Sequence, residues 1–105
     1  PALRSLDGLE GITWLGSDSM GVSLQLGYNG ALRSLGGLRS VAGRLPGSVS
    51  VSLCAALETL EGLEGISSVG ANLNGNSLFL RGNGLTTLAG LRGLAGGLPG
   101  ALVVL

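Results

Sequence analysis

Leucines punctuate this chain in a phrase of the form L-x-[S/T]-L-x-G-L, written at Leu3–Leu9, Leu32–Leu38, Leu57–Leu63 and Leu85–Leu91. Three places after each phrase stands another aliphatic residue, Ile12, Val41, Ile66 or Leu94, followed by a glycine-rich bend and a short segment of alternating apolar and polar positions. Alternation with a period of two predicts strands. In the first of these, Val22, Leu24 and Leu26 face one way and Ser23 and Gln25 the other; in the second, Val49, Val51 and Leu53 alternate with Ser50 and Ser52. Leu78 and Leu80 flank Phe79 in the third, and in the fourth Ala101, Val103 and Leu105 alternate with Leu102 and Val104.

The first leucines of the four phrases lie 29, 25 and 28 residues apart. Self-similarity at such a period is the mark of coils that stack on one another. The fold predicted is therefore mainly β: a right-handed solenoid or β-helix of about four coils, with parallel sheets and little helix. The array forms one unit over residues 1–105, with coils at about 1–30, 31–56, 57–84 and 85–105. Leucines at i, i+3 and i+6 also approximate a helical face, but the glycine density opposes a helix, since each interior glycine costs roughly 1 kcal/mol relative to alanine. At most a single helical or 3₁₀ turn is expected around the last leucine of the phrase. The glycine before that leucine, Gly8, Gly37, Gly62 or Gly90, occurs in every coil. It implies either a bend with positive φ or close approach of neighbouring coils.

The stretch Ser77–Leu91, SLFLRGNGLTTLAGL, resembles the leucine-rich repeat pattern, with Asn83 at the family's asparagine position. Leu24–Leu35, LQLGYNGALRSL, matches with Asn29 in that place. The succession of short strand, asparagine turn, leucine phrase and glycine bend is similar to the receptor L domain, the leucine-rich β-helical module of growth-factor and insulin-type receptor ectodomains. What the resemblance implies is an inward-turned asparagine that satisfies backbone groups of the adjoining coil, and an extracellular or cell-surface setting. Coil two departs from the pattern, with Cys54-Ala55-Ala56 after Leu53, so a continuous asparagine column is not expected. The apolar pattern also runs to both termini, ending in ALVVL. Stacked coils need their ends covered, so the reading is an uncapped excerpt of a longer array, or a chain whose two ends are covered by neighbouring subunits.

Composition narrows the function. Hydrophobic residues make up 45% of the chain and charged residues only 11%, with six Arg against six acids and a net charge of zero. Nothing here supplies the basic footprint of a nucleic-acid binder. No apolar run reaches the roughly 18–20 residues that span a bilayer, and the N-terminal residues lack the basic and apolar regions of a signal peptide. Histidine and lysine are both absent, which excludes an imidazole-based triad and a Schiff-base lysine. Cys54 is the only cysteine and reads as a small buried hydrophobe. There is no phosphate-loop motif and no cysteine-based zinc spacing. No enzyme, cofactor or metal site is expected.

Function is then left to the columns between the leucines. Glu10, Arg39, Glu64 and Arg92 follow the phrase in the successive coils and alternate in sign, which reads as a surface ion ladder. An acidic metal site from Glu58, Glu61 and Glu64 is the weaker reading, because the loop pattern of a calcium site is missing. Ser5, Ser34, Thr59 and Thr87 place a hydroxyl in each coil, suited to bonding the local backbone at a bend. Trp14 and Tyr28 read as packing residues with a polar handle. The outward side of the strands, Ser23, Gln25, Ser50, Ser52 and Phe79, continued by Leu102 and Val104, grows more apolar along the array and is the candidate interaction face. The expectation is a non-enzymatic scaffold or protein-interaction module that meets other proteins, not nucleic acid. A ligand-binding ectodomain segment of a surface receptor or adhesion protein is the alternative.

Overall fold

The computed structural model describes residues 3–105. Four parallel strands, β1 (Val22–Gly27), β3 (Ser48–Ser52), β5 (Asn76–Arg81) and β6 (Ala101–Val104), form one sheet in the order β1-β3-β5-β6. A second sheet pairs the short parallel strands β2 (Gly43–Arg44) and β4 (Ile66–Ser68). About three turns of chain connect the four stacked strands. The fold is a parallel β-solenoid with almost no helix, as the leucine spacing predicts. Its helical content among the described residues is two single 3₁₀ turns, Gly36–Leu38 and Ala89–Leu91, each at the end of a leucine phrase.

The leucines of the phrase, the following aliphatic residue and the inward strand positions meet in one interior. Leu32, Leu35, Val41, Val51, Leu57 and Leu60 are completely enclosed. Cys54 is enclosed too, as a small apolar residue would be. Each such aliphatic side chain contributes roughly 1.5–3 kcal/mol through burial, so the middle of the stack carries most of the stability. The column of phrase glycines is explained by coil-on-coil contact. A Cβ at Gly37, Gly62 or Gly90 would collide with the carbonyl group of Leu6, Leu35 or Leu60 in the preceding coil. Gly62 also has φ +116°, as Gly8 has +108°, whereas the other two coils turn through a 3₁₀ geometry instead.

That difference belongs to a larger regularity: the coils alternate. Coil three repeats coil one residue for residue 54 positions on, and coil four repeats coil two 53 positions on, in structure as in sequence. Asp18 N donates to Val22 O at 3.0 Å and Asn72 N to Asn76 O at 2.9 Å. Ala42 N donates to Thr13 O at 3.0 Å and Ala95 N to Ser67 O at 3.1 Å. Strand pairing repeats as well, with the same bulge between Val22 and Leu24 on β1 and between Asn76 and Leu78 on β5. Coils one and three have a projecting loop before their strand, whereas coils two and four cut the corner with Leu-Pro-Gly, at Leu45–Gly47 and Leu98–Gly100.

Candidate interaction face

Outward strand positions align in a row across the sheet: Gln25 pairs with Ser50, Ser50 with Phe79, and Phe79 with Val103. A second row runs Gly27, Ser52, Arg81. So Gln25, Ser50, Ser52 and Phe79 share one face. Ser23 is drawn away from them, because the bulge interrupts the alternation and its Oγ accepts a 2.8 Å hydrogen bond from Gly47 N in coil two. Ser77 does the same for Gly100 N at 2.8 Å. In β6 the assignment of sides is the reverse of that expected from the sequence. Leu102 pairs with Leu78 and Val104 with Leu80, so both continue the inward columns and Val103 lies outward. The bulge at Asn76/Leu78 absorbs one residue and shifts the phase of the alternation.

Two loops rise beside this row. In each, one side-chain oxygen organises the turn: Asp18 Oδ1 accepts from Met20 N and Val22 N at 2.9 and 3.0 Å, and Asn72 Oδ1 from Asn74 N and Asn76 N at the same distances. A glycine with positive φ, Gly21 at +81° or Gly75 at +82°, closes each loop. The loops stack directly, with Leu73 N donating to Met20 O at 2.9 Å, because the short coil between them leaves the space open. Between loops and sheet lies a cleft of about 280 Å³. Its apolar lining is Met20, Val22, Leu73 and Phe79, and its polar lining includes Gln25, Ser50 and the amides of Asn72, Asn74 and Asn76. Asp18 is the one charged residue in it. Met20, Leu73 and Val103 did not emerge from the strand pattern; the signal for the first two lies in the correspondence of GSDSMGVS with GANLNGNS.

The asparagines divide. Asn83 bridges coils two and three, its Oδ1 accepting from Cys54 N at 3.0 Å and its Nδ2 donating to Val51 O at 2.8 Å. Cys54 itself stands in the same column of coil two, its Sγ 3.4 Å from Ser52 O. The Asn29 side chain, in coil one, has no hydrogen-bond partner among the described residues. Just before this column the backbone turns left-handed in coils one, two and three, at Tyr28 (φ 58°), Leu53 (φ 56°) and Gly82 (φ 67°). Tyr28 is 73% exposed, in contrast to its expected packing role. Trp14 is also largely exposed, and its Nε1 donates to Arg44 O at 2.8 Å.

The charged column forms pairs. Arg39 lies 3.9 Å from Glu10, and Arg92 lies 3.6 Å from Glu64; among the described residues no ion pair joins Arg39 to Glu64. Each group also serves its own coil. Glu10 Oε1 accepts from Gly8 N and Glu64 Oε1 from Gly62 N, both at 2.8 Å, while Arg39 Nη1 and Arg92 Nη1 donate to Gly36 O and Ala89 O. The amides of Glu10 and Gly8, and then Arg39, hold the Glu10 carboxyl below its ordinary value. At Glu64 burial pushes the value up, but the amides of Gly62 and Glu64 and the Arg92 guanidinium outweigh it and the net shift is downward. All four hydroxyls of the second column accept a bond from the amide two residues on: Asp7 N to Ser5, Gly36 N to Ser34, Glu61 N to Thr59 and Ala89 N to Thr87. Among the described residues no cluster of potential metal ligands forms, and no helix is long and apolar enough to cross a membrane.

Fold and face together define the class: a parallel β-solenoid with an outward sheet row walled by stacked loops. Comparison with protein-family models, curated proteins and solved structures finds no match.

Proposed function

We propose that this chain is a non-enzymatic protein-interaction module that receives a segment of another protein in the cleft between the outward sheet row and the two stacked loops. The observation that supports this is the make-up of the cleft. Four apolar side chains are interleaved with amide and hydroxyl groups, and a single carboxylate is present. Such a lining suits an extended, largely uncharged peptide, whose backbone groups find partners in the amides while its side chains cover Phe79 and Leu73. Panning a random-peptide display library against the chain tests this reading. Selected peptides should compete with one another, shift the NMR signals of Gln25, Ser50, Leu73 and Phe79, and lose at least about tenfold in affinity, some 1.4 kcal/mol, in Phe79→Ser. Peptides that perturb only other surfaces would overturn it.

A second reading is favoured by Asn83. Its bonds to Val51 and Cys54 are of the kind that the resemblance to leucine-rich receptor domains implies. On that reading the same cleft belongs to a ligand-binding segment of a cell-surface receptor or adhesion protein, and the extracellular setting goes with it.

A further inference from the structure

We infer that the segment received in the cleft carries an arginine whose guanidinium binds the Asp18 carboxylate. This rests on the cleft being a peptide site, and adds the chemistry by which the peptide is chosen.

The two stacked loops supply the comparison. Asp18 and Asn72 are counterparts in coils one and three, and each builds its turn with Oδ1. Asp18 Oδ1 accepts from Met20 N and Val22 N at 2.9 and 3.0 Å, and Asn72 Oδ1 accepts from Asn74 N and Asn76 N at 2.9 and 3.0 Å. The neutral amide therefore makes the turn as fully as the carboxylate does, so the negative charge at position 18 is surplus to the fold. Nor does that charge serve an ion pair. The pairs among the described residues are Arg39–Glu10 and Arg92–Glu64, and no arginine lines the cleft. Asp18 Oδ2 is left as an acceptor, where Asn72 has the donor Nδ2 instead.

A carboxylate beside apolar side chains in a concave site is screened less than one on an open surface. Its complement is a cation, and the remaining lining selects among cations. Gln25, Asn74 and Asn76 share the cleft, and their side-chain amides have no hydrogen-bond partner among the described residues. Their carbonyl oxygens are further open acceptors. A guanidinium presents five N–H donors in a planar fork and is weakly hydrated, so it can engage a carboxylate and amide oxygens together. A lysine ammonium is a compact, strongly hydrated charge and matches such a set less well. The exposed apolar surface of Met20 and Leu73 suits the aliphatic stem of an arginine, and the Phe79 ring attracts a cation over its face.

Panning a random-peptide display library in parallel on the wild type and on Asp18→Asn tests this. The variant should melt like the wild type, since Asn72 makes the same two turn bonds in coil three. Peptides recovered on the wild type that shift the NMR signals of Leu73 and Phe79 should carry arginine, and replacing it with citrulline, its neutral analogue, should weaken binding about tenfold. Asp18→Asn should weaken the arginine peptide by about the same factor and leave the citrulline peptide unaffected. Added salt should weaken only the arginine peptide on the wild type. Cleft-binding peptides that lack arginine, or an arginine peptide that binds Asp18→Asn as tightly as the wild type, would overturn this inference and leave the peptide site standing. Peptides that bind only elsewhere would overturn both.

Discussion

Asn83 shows at the residue scale how one side chain couples two coils. Its amide bonds a buried donor and a buried acceptor at once, Cys54 N and Val51 O. Each buried polar group left unpaired costs about 1–3 kcal/mol, so Asn83→Ala is expected to lower stability by about 2–4 kcal/mol in urea melts. Asn29→Ala, in the same column without that coupling, should change the stability of the monomer by less than about 0.5 kcal/mol. Equal losses at the two positions would contradict the role assigned here. The asparagine pattern was legible in the sequence because the residue type and its spacing from the leucines are both distinctive. Ser23 was not separable from Gln25, since a bulge leaves no mark in the alternation when polar residues occupy both the bulged and the outward positions. Nor could the sides of β6 be read from five consecutive apolar residues, Ala101 to Leu105.

At the scale of the element, the glycines and ion pairs decide how closely coils approach. Gly70→Ala drives a methyl into the Pro46 carbonyl, and overpacking of that kind costs about 1–3 kcal/mol. Gly16→Ala occupies open space and should be neutral or stabilising by about 0.4–1 kcal/mol, because it restricts the unfolded chain. Thermal melts of the two variants in dilute solution separate these outcomes. The glutamates add a pH dependence. Both carboxyls lie below their ordinary value of 4.5 in the folded chain, so their contribution is present above that value and is lost as pH falls through the folded one. The melting temperature should therefore hold steady near neutrality and drop in acid. Glu64→Gln should lower it modestly at neutral pH, by less than about 1 kcal/mol in stability for so exposed a pair, with the two curves converging in acid. A constant difference at every pH would show that the charge of Glu64 is not what matters. The four strands were visible as alternation. The second sheet was not, because β2 and β4 are two and three residues long and are held by backbone pairing that any side chain would permit.

For the whole molecule, alternation of coil types is the organising fact. Two loops that project from coils one and three meet across the shorter coil two, and the cleft exists because of that difference in length. The sign alternation of Glu10, Arg39, Glu64 and Arg92 already hinted at a two-coil period. Its consequence for shape needed three dimensions, since loop stacking joins Met20 to Leu73 across more than fifty residues. A linear stack also distributes stability unevenly, with the enclosed leucines of coils two and three at its centre. The most direct test of this architecture is the set of inter-strand nuclear Overhauser effects in solution. Parallel stacking predicts contacts linking Gln25 to Ser50, Ser50 to Phe79 and Phe79 to Val103 in that order, at the spacing of about 4.8 Å between neighbouring strands. Antiparallel contacts between successive segments, or helical contacts through the leucine phrases, would contradict the solenoid.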